Sequence, residues 1–520
     1  SLSDADGNGR LTLNELGGNP YVFDPNFKPL TIAVPGCGSC TDAAHMLDSG
    51  LGSTRLNSRT VYVAPGVDFS NTVTHTGFVE LARAFDSGDR MRLQGFVDTL
   101  SNDRFVSYGF PGSYRTLILE TRARYDFKRG FGALMTENIV GASYRYVQAM
   151  GKESFNSGVI ALDRRDIGLG AMPNDVIDSP FNSDPPGTVG LGWENDVHSS
   201  TADAGVFVTS DIAWNEKLDL ILGGRYDAYN VRSVDLGVLA YEPPSGRGGK
   251  GSLTYSASLS YKTDWGLIPY VTNAKSSAIE LGQASQVATS LLANDDWLSE
   301  SFLNETGVKF AFLDQHLVGS LAWYRQERTQ LRQGGGVTNV MGTRAQGAEA
   351  EIRYVMNENL SLTIAGSLQR TIVKGPDHSF AYIPARDAGV LPANGFGGSY
   401  VTFDFSTLPG KAGNYEYTLN PHAVISPYVT YTSDDQRWGA TFGGSYVSRT
   451  AQTVPDPIRF PAYVLLNASA FLRMDAWEAG INVNNLADAH TFTPDADTYA
   501  NLAALPGEGR TWRITLTRAF

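Results

Sequence analysis

From about residue 77 to the end of the chain, apolar and polar positions alternate. In Lys217–Tyr226, Leu218, Leu220, Leu222 and Tyr226 share one face, while Asp219, Gly223 and Arg225 share the other. Trp477, Ala479, Ile481 and Val483 oppose Glu478, Gly480, Asn482 and Asn484 in the same way, and Met91, Leu93, Gly95 and Val97 oppose Arg92, Gln94 and Asp98. A period of two means a strand with one dry face and one wet face. The segments run to roughly 10–15 residues, longer than the usual strand of a soluble sandwich and long enough for a tilted crossing of a bilayer. Tyr114–Phe127, Thr201–Trp214, Gly251–Thr263, Gly342–Met356 and Asn359–Val373 are examples. Aromatic residues such as Tyr125, Phe127, Trp214, Tyr261, Trp323, Tyr324, Tyr431 and Phe471 fall where an interfacial girdle is expected.

The connections fall into two sets. Short polar turns are expected at Asp86–Asp89, Lys128–Gly130, Asn215-Glu216, Asp264-Trp265, Asp314-Gln315, Asn357-Glu358, Ser433–Asp435 and Asp475-Ala476. Long loops are expected over roughly 149–200, 232–250, 276–296, 328–341, 374–415 and 485–507. Short turns at one end and long loops at the other are the asymmetry of an outer-membrane barrel. The last segment, Thr511–Phe520, alternates Trp512, Ile514 and Leu516 and closes on an aromatic, like the C-terminal strand of bacterial outer-membrane proteins. The expected fold is therefore all-β: a transmembrane antiparallel β-barrel of about 17 strands over 77–520. Residues 1–76 are expected to form a long extracellular loop.

Composition agrees with this reading. The 520 residues include 55 Gly and 57 aromatic side chains, with a net charge of −13. The mean hydropathy is −0.19, and no apolar run reaches the ~18 residues of a membrane helix. An acidic chain is a poor partner for nucleic acid. Ser1 is neither an initiator Met nor the start of a secretory leader, so an upstream segment is expected.

The ordered set Leu222–Asp227 (LGGRYD), Glu305–Lys309 (ETGVK), Gly347–Glu351 (GAEAE), Val483–Asp488 (VNNLAD) and Arg510–Phe520 resembles the barrel strands of TonB-dependent outer-membrane receptors. That resemblance implies a 22-stranded barrel in the bacterial outer membrane, a globular plug in its lumen, and import of a large scarce nutrient, most often a ferric siderophore, driven by TonB acting on the plug. Catalysis is not expected. If the last strand is strand 22, those present are strands 6–22. An odd number of antiparallel strands closes only through a parallel seam, so the N-terminal plug and first five strands are expected from a separate polypeptide. Outer-membrane lipid and lipopolysaccharide are the surrounding partners. A passive porin-like channel, or a calcium-stabilised adhesion or assembly scaffold, is the alternative.

Asp4-Ala5-Asp6-Gly7-Asn8-Gly9 followed by Arg10, Thr12 and Glu15 fits the twelve-residue loop pattern for Ca²⁺. Asp4, Asp6 and Asn8 would offer side-chain oxygens, Arg10 a carbonyl, Thr12 a bridging water and Glu15 a bidentate carboxylate. Cys37 and Cys40 can form a redox pair, half a zinc site or a short-loop disulfide; without a second ligand pair or a βαβ context, the disulfide is favoured. Arg325, Arg328, Arg332 and Arg344 surround one outer loop beside Tyr324. They are candidates for contact with an anionic ferric chelate or, equally, with lipopolysaccharide phosphate. Gly246–Gly251 matches G-x-G-x-x-G but lies in a loop between strands, so a nucleotide role is set aside.

Overall fold

The computed structural model describes residues 20–23, 29–30, 69–105, 112–153, 193, 195–237, 243–334, 337–374, 378–384, 398–404, 414–451, 459–494, 499–501 and 504–519. The calcium-loop residues Asp4–Glu15 and the pair Cys37/Cys40 lie outside the described residues.

Seventeen strands form one antiparallel sheet. They are β1 (Phe69–Ala84), β2 (Arg90–Phe105), β3 (Gly112–Phe131), β4 (Leu134–Glu153), β5 (Asn195–Trp214) and β6 (Leu218–Asp235). Next come β7 (Ser245–Tyr261), β8 (Leu267–Ile279), β9 (Leu298–Phe312), β10 (Leu317–Gly334), β11 (Val337–Val355) and β12 (Leu360–Lys374). The last five are β13 (Ala423–Thr432), β14 (Trp438–Val447), β15 (Tyr463–Met474), β16 (Trp477–Asn484) and β17 (Thr511–Arg518). Every strand pairs with the next in sequence, as in an up-and-down barrel. The strands reach 20 residues in β3, β4 and β5, so they run beyond the expected 10–15 and stand above the membrane. Strand β1 likewise begins at Phe69 rather than near residue 77.

The first and last strands face each other across the seam of the barrel order. Among the described residues, however, no ladder register joins them: β1 is paired only to β2 and β17 only to β16. Both edges are exposed along almost their full length. With seventeen alternating strands these two edges run parallel, so the antiparallel pattern cannot continue across them.

Alternation sorts the faces. Val79, Leu81, Val206, Val208, Leu253, Leu321, Trp323 and Ile514 point outward and are exposed, which is what a barrel surface in lipid requires. Trp214 and Tyr261, next to the short turns, are on this face too. Tyr324, expected in the girdle, is on the inner face beside Glu349; its odd–even position relative to Trp323 decides this. Phe471 is also inside, capped by Arg473 at 4.5 Å.

Seven of the eight expected short turns are present. At the eighth, Lys128–Gly130 remain in β3, and the chain turns at Gly132-Ala133 instead. Gly132 (φ +63°) and Gly266 (φ +85°) take the left-handed region that tight hairpins need. At Gly266 a Cβ would also run into the Ala311 carbonyl oxygen.

Among the long loops, 328–341 is corrected. It is mostly a hairpin, with β10 running to Gly334 and β11 starting at Val337. Its polar residues carry no hydrophobic alternation because this part stands above the bilayer. At the same end, strands Pro20–Phe23, Pro29–Leu30, Gly398–Asp404, His378–Pro384 and Tyr499–Asn501 join in a five-stranded sheet. This sheet brings part of the 1–76 segment to the loops around 374–415 and 485–507.

Candidate functional site: the inner wall and its mouth

The inner faces of β1–β6 carry a band of paired charges. Gln94 donates to Glu80 at 2.7 Å, and Arg122 to Glu120 at 2.8 Å. Arg92 and Arg124 converge on Asp126 at 3.4 and 2.7 Å. Arg145 lies 3.8 Å from Glu120. Deeper in the wall, the Arg225 Nε donates to Asp227 at 2.7 Å, and its guanidinium also reaches Ser143 at 2.9 Å. Gly205 leaves room for this pair, since a Cβ there would collide with both Asp227 and Arg225. Across the barrel, Tyr270 donates to Glu305 at 2.8 Å, and Lys309 lies 5.6 Å over the Tyr270 ring. These fixed charges and hydroxyls form a hydrated wall that a polar body or ligand can contact.

The mouth is narrowed by a segment whose position the sequence pattern did not show. Residues 280–297, between β8 and β9, fold inward and lie across the inner faces of β3–β7. Ala284, Val287, Leu291, Leu292 and Trp297 are buried there, four of them in one cluster with Val231 of β6. A short helix, α1 (Thr289–Ala293), supplies the leucines. Polar anchors fix the segment at three more strands. Thr116 of β3 donates to the Ala284 carbonyl at 2.6 Å. Ser199 of β5 accepts from the Val287 N–H at 2.9 Å. The Gln286 side chain lies over Gly151 of β4, where a Cβ would collide with its amide.

The G-x-G-x-x-G segment finds its physical reason here. A Cβ on Gly246 would sit 2.6 Å from Leu292, and one on Gly248 would sit 2.5 Å from the Trp297 ring nitrogen. The glycines admit the inward shelf. Lys250 then covers Trp297 at 5.3 Å and donates to the Asp295 carbonyl at 2.6 Å.

The four candidate arginines are divided between the two faces. Arg325 lies directly across from Gln346, and Glu327 from Arg344. Arg325 and Arg344 thus share the outward face with Trp323, and Arg325 pairs with Glu327 at 2.7 Å. Arg328 has the opposite parity and is exposed on the inner face. Arg332 follows four residues further along β10, opposite Asn339. Among the described residues, no group of three or more His, Cys, Asp or Glu could hold a metal ion.

An up-and-down antiparallel sheet of long strands with an apolar exterior and a charged interior defines a transmembrane barrel of the bacterial outer membrane. Residues 5–486 match the model for the TonB dependent receptor-like β-barrel, and the chain belongs to that family. It is 22% identical over 325 residues to the probable TonB-dependent siderophore receptor PiuA of Acinetobacter baumannii, covering 61% of this chain and 40% of that protein. The fold is similar to the crystal structure of the siderophore receptor PiuA from A. baumannii, with a TM-score of 0.64 and 18% identity over 87% of this chain and 65% of that one. It is also similar to the closed form of the ferric-catecholate import receptor Fiu from E. coli K12, with a TM-score of 0.63 and 15% identity over 88% and 66% of the two chains. The chain therefore spans two fifths of the curated relative and about two thirds of these solved receptors.

Proposed function

We propose that this chain forms most of the wall of an active outer-membrane importer for a ferric siderophore. A plug and the remaining barrel strands come from a polypeptide outside these 520 residues, and TonB acts through that plug. The open seam carries this reading. Two exposed, mutually parallel edges would leave backbone N–H and C=O groups unsatisfied in lipid at several kcal/mol each. An odd number of inserted strands restores an even count and an antiparallel closure. The inner charges, paired but exposed to the lumen, suit contact with a polar globular plug. The relatives named above, described as siderophore receptors, support the choice of cargo.

Intact mass spectrometry of the detergent-purified particle, with unboiled and boiled gel migration, tests the assembly. A second species covering a plug and about five strands, released on denaturation, is expected; a lone 56.2 kDa chain that migrates as a folded barrel would refute it. Iron-limited growth on single ferric siderophores, with and without TonB, tests the cargo. Of the candidate arginines, Arg328 and Arg332 are retained as chelate contacts. Their joint replacement by Ala is expected to weaken uptake without altering barrel migration.

A further inference from the structure

The inward segment 280–297 is built as a fixed part of the wall. Its two ends are tied to each other, the Glu280 N–H donating to the Trp297 carbonyl at 2.8 Å. Within it, the Gly282 N–H donates to the Gln286 carbonyl at 2.7 Å and the Asp296 N–H to the Leu291 carbonyl at 2.9 Å. The Ser199 hydroxyl meets both polar atoms of the Val287 backbone, accepting from the N–H at 2.9 Å and lying 3.2 Å from the carbonyl oxygen. Val287 and Trp297 are 0% exposed. These anchors are all residues of this chain, so movement of a separate plug leaves them in place.

Counting from the short turns places the segment at the entrance. Ser199 stands 15 residues above Trp214, Val231 13 above Leu218 and Gly248 13 above Tyr261. A crossing takes about 9–11 residues, so the segment lies just beyond the apolar band. A helical turn with its side chains is about 10 Å across, and α1, packed on the inner face, takes about that width from the lumen along β3–β7. The edge at Asn294–Asp296 is exposed, with Asp295 tied to Lys250 of β7 at 2.9 Å.

We propose, on the import reading given above, that 280–297 is a size-selecting lip of the passage. It stays on the wall while the plug moves, and it sets the largest cargo admitted past β3–β7. Leu292 and Trp297 are positioning residues for that limit, through the seat they make with Val231, Gly246 and Gly248. A gate would need a seat that opens readily. Here opening would expose side chains from an apolar cluster and break the hydrogen bonds to Thr116 and Ser199. Cargo passes beside the lip, along the inner wall that it leaves uncovered.

The test uses the complete receptor in iron-limited cells, with and without TonB. The cells are supplied with ferric tris-catecholate and tris-hydroxamate chelates carrying rigid substituents of increasing bulk. The wild type is expected to show a sharp upper size for TonB-dependent uptake. The double variant Leu292→Ala, Trp297→Ala should raise uptake just above that size by about tenfold or more, with smaller chelates changed by less than about twofold. The same size limit in variant and wild type overturns the proposal, as does an equal loss of uptake at every size, which marks a merely structural role. Hydrogen exchange of 280–297 in the purified receptor should be the same with and without the smallest transported chelate. Faster exchange on chelate binding would make the segment a moving gate and overturn the fixed lip. Size-independent uptake by the wild type would refute the lip alone, whereas no TonB-dependent uptake at any size would refute the import reading and the lip with it. Unboiled gel migration monitors folding. If the double variant does not fold, Gly248→Val serves in its place: a Cβ there meets the Trp297 ring nitrogen at 2.5 Å, so it should unseat the lip from the wall side and shift the limit in the same direction.

Discussion

Single residues show how an alternating pattern is converted into chemistry. The outward placement of Arg325 and Arg344 was legible in principle, because each is separated from an outward residue by an even number of positions or by direct pairing with one. Clustering by sequence proximity hid it; counting parity from Trp323 would have revealed it. Asp89, in the turn before β2, illustrates a different kind of information. Arg129 donates to both its carboxylate oxygens, at 2.9 and 3.0 Å, and Tyr125 donates at 2.7 Å. These bonds, chiefly those from Arg129, hold the Asp89 carboxyl well below the usual carboxylate range. A depressed folded-state pKa means that the pairing stabilises the barrel above the ordinary carboxylate value of about 4 and loses that effect as pH falls towards the depressed one. Asp89→Asn should therefore be less stable than the wild type at neutral pH, with the gap constant down to about pH 5 and closing in stronger acid. Urea unfolding followed by gel migration from neutral to strongly acidic pH checks this, and a gap independent of pH would contradict it.

Among elements, the strands were largely readable and the mouth was not. Alternation located the membrane-crossing parts of β3, β5, β7, β11 and β12 because lipid demands an apolar outer face there. Above the bilayer that demand ends. Gln330, Arg332, Gln333 and Asn339 consequently read as loop although they belong to β10 and β11, and polar Ser70–Thr76 concealed the start of β1. The inward fold of 280–297 depends on glycines in a distant strand making room for Leu292 and Trp297, a tertiary fit that no local period records. Since Trp297 is 0% exposed in the cluster, Trp297→Ala should destabilise the shelf by about 3–5 kcal/mol. The barrel ladders β6–β9 remain paired without it. Limited proteolysis should then cut within 280–297 in the variant while the barrel core stays resistant and heat-modifiable. Unchanged resistance of the segment would show that its hydrogen bonds to Thr116 and Ser199 suffice to hold it.

For the whole molecule, a count of turns yields the number of strands, and the parity of that number yields the nature of the seam. Seventeen strands were countable from sequence because each short turn combines polar or Gly residues with a restart of the alternation. Whether β1 and β17 meet was a question only the registers could answer, and neither strand has a ladder on its outer edge among the described residues. An unpaired edge exchanges its amide hydrogens readily, whereas one satisfied by neighbouring strands in lipid is protected to near the global stability. In the complete receptor, amides of 69–84 and 511–518 are expected to exchange as slowly as those of the central strands β4 and β5. In this chain refolded alone into detergent, the same two segments should exchange orders of magnitude faster, with the central strands unchanged. Equal protection of the two edges in the isolated chain would mean that β1 and β17 join directly, through a parallel seam, and that the barrel wall needs no further strands.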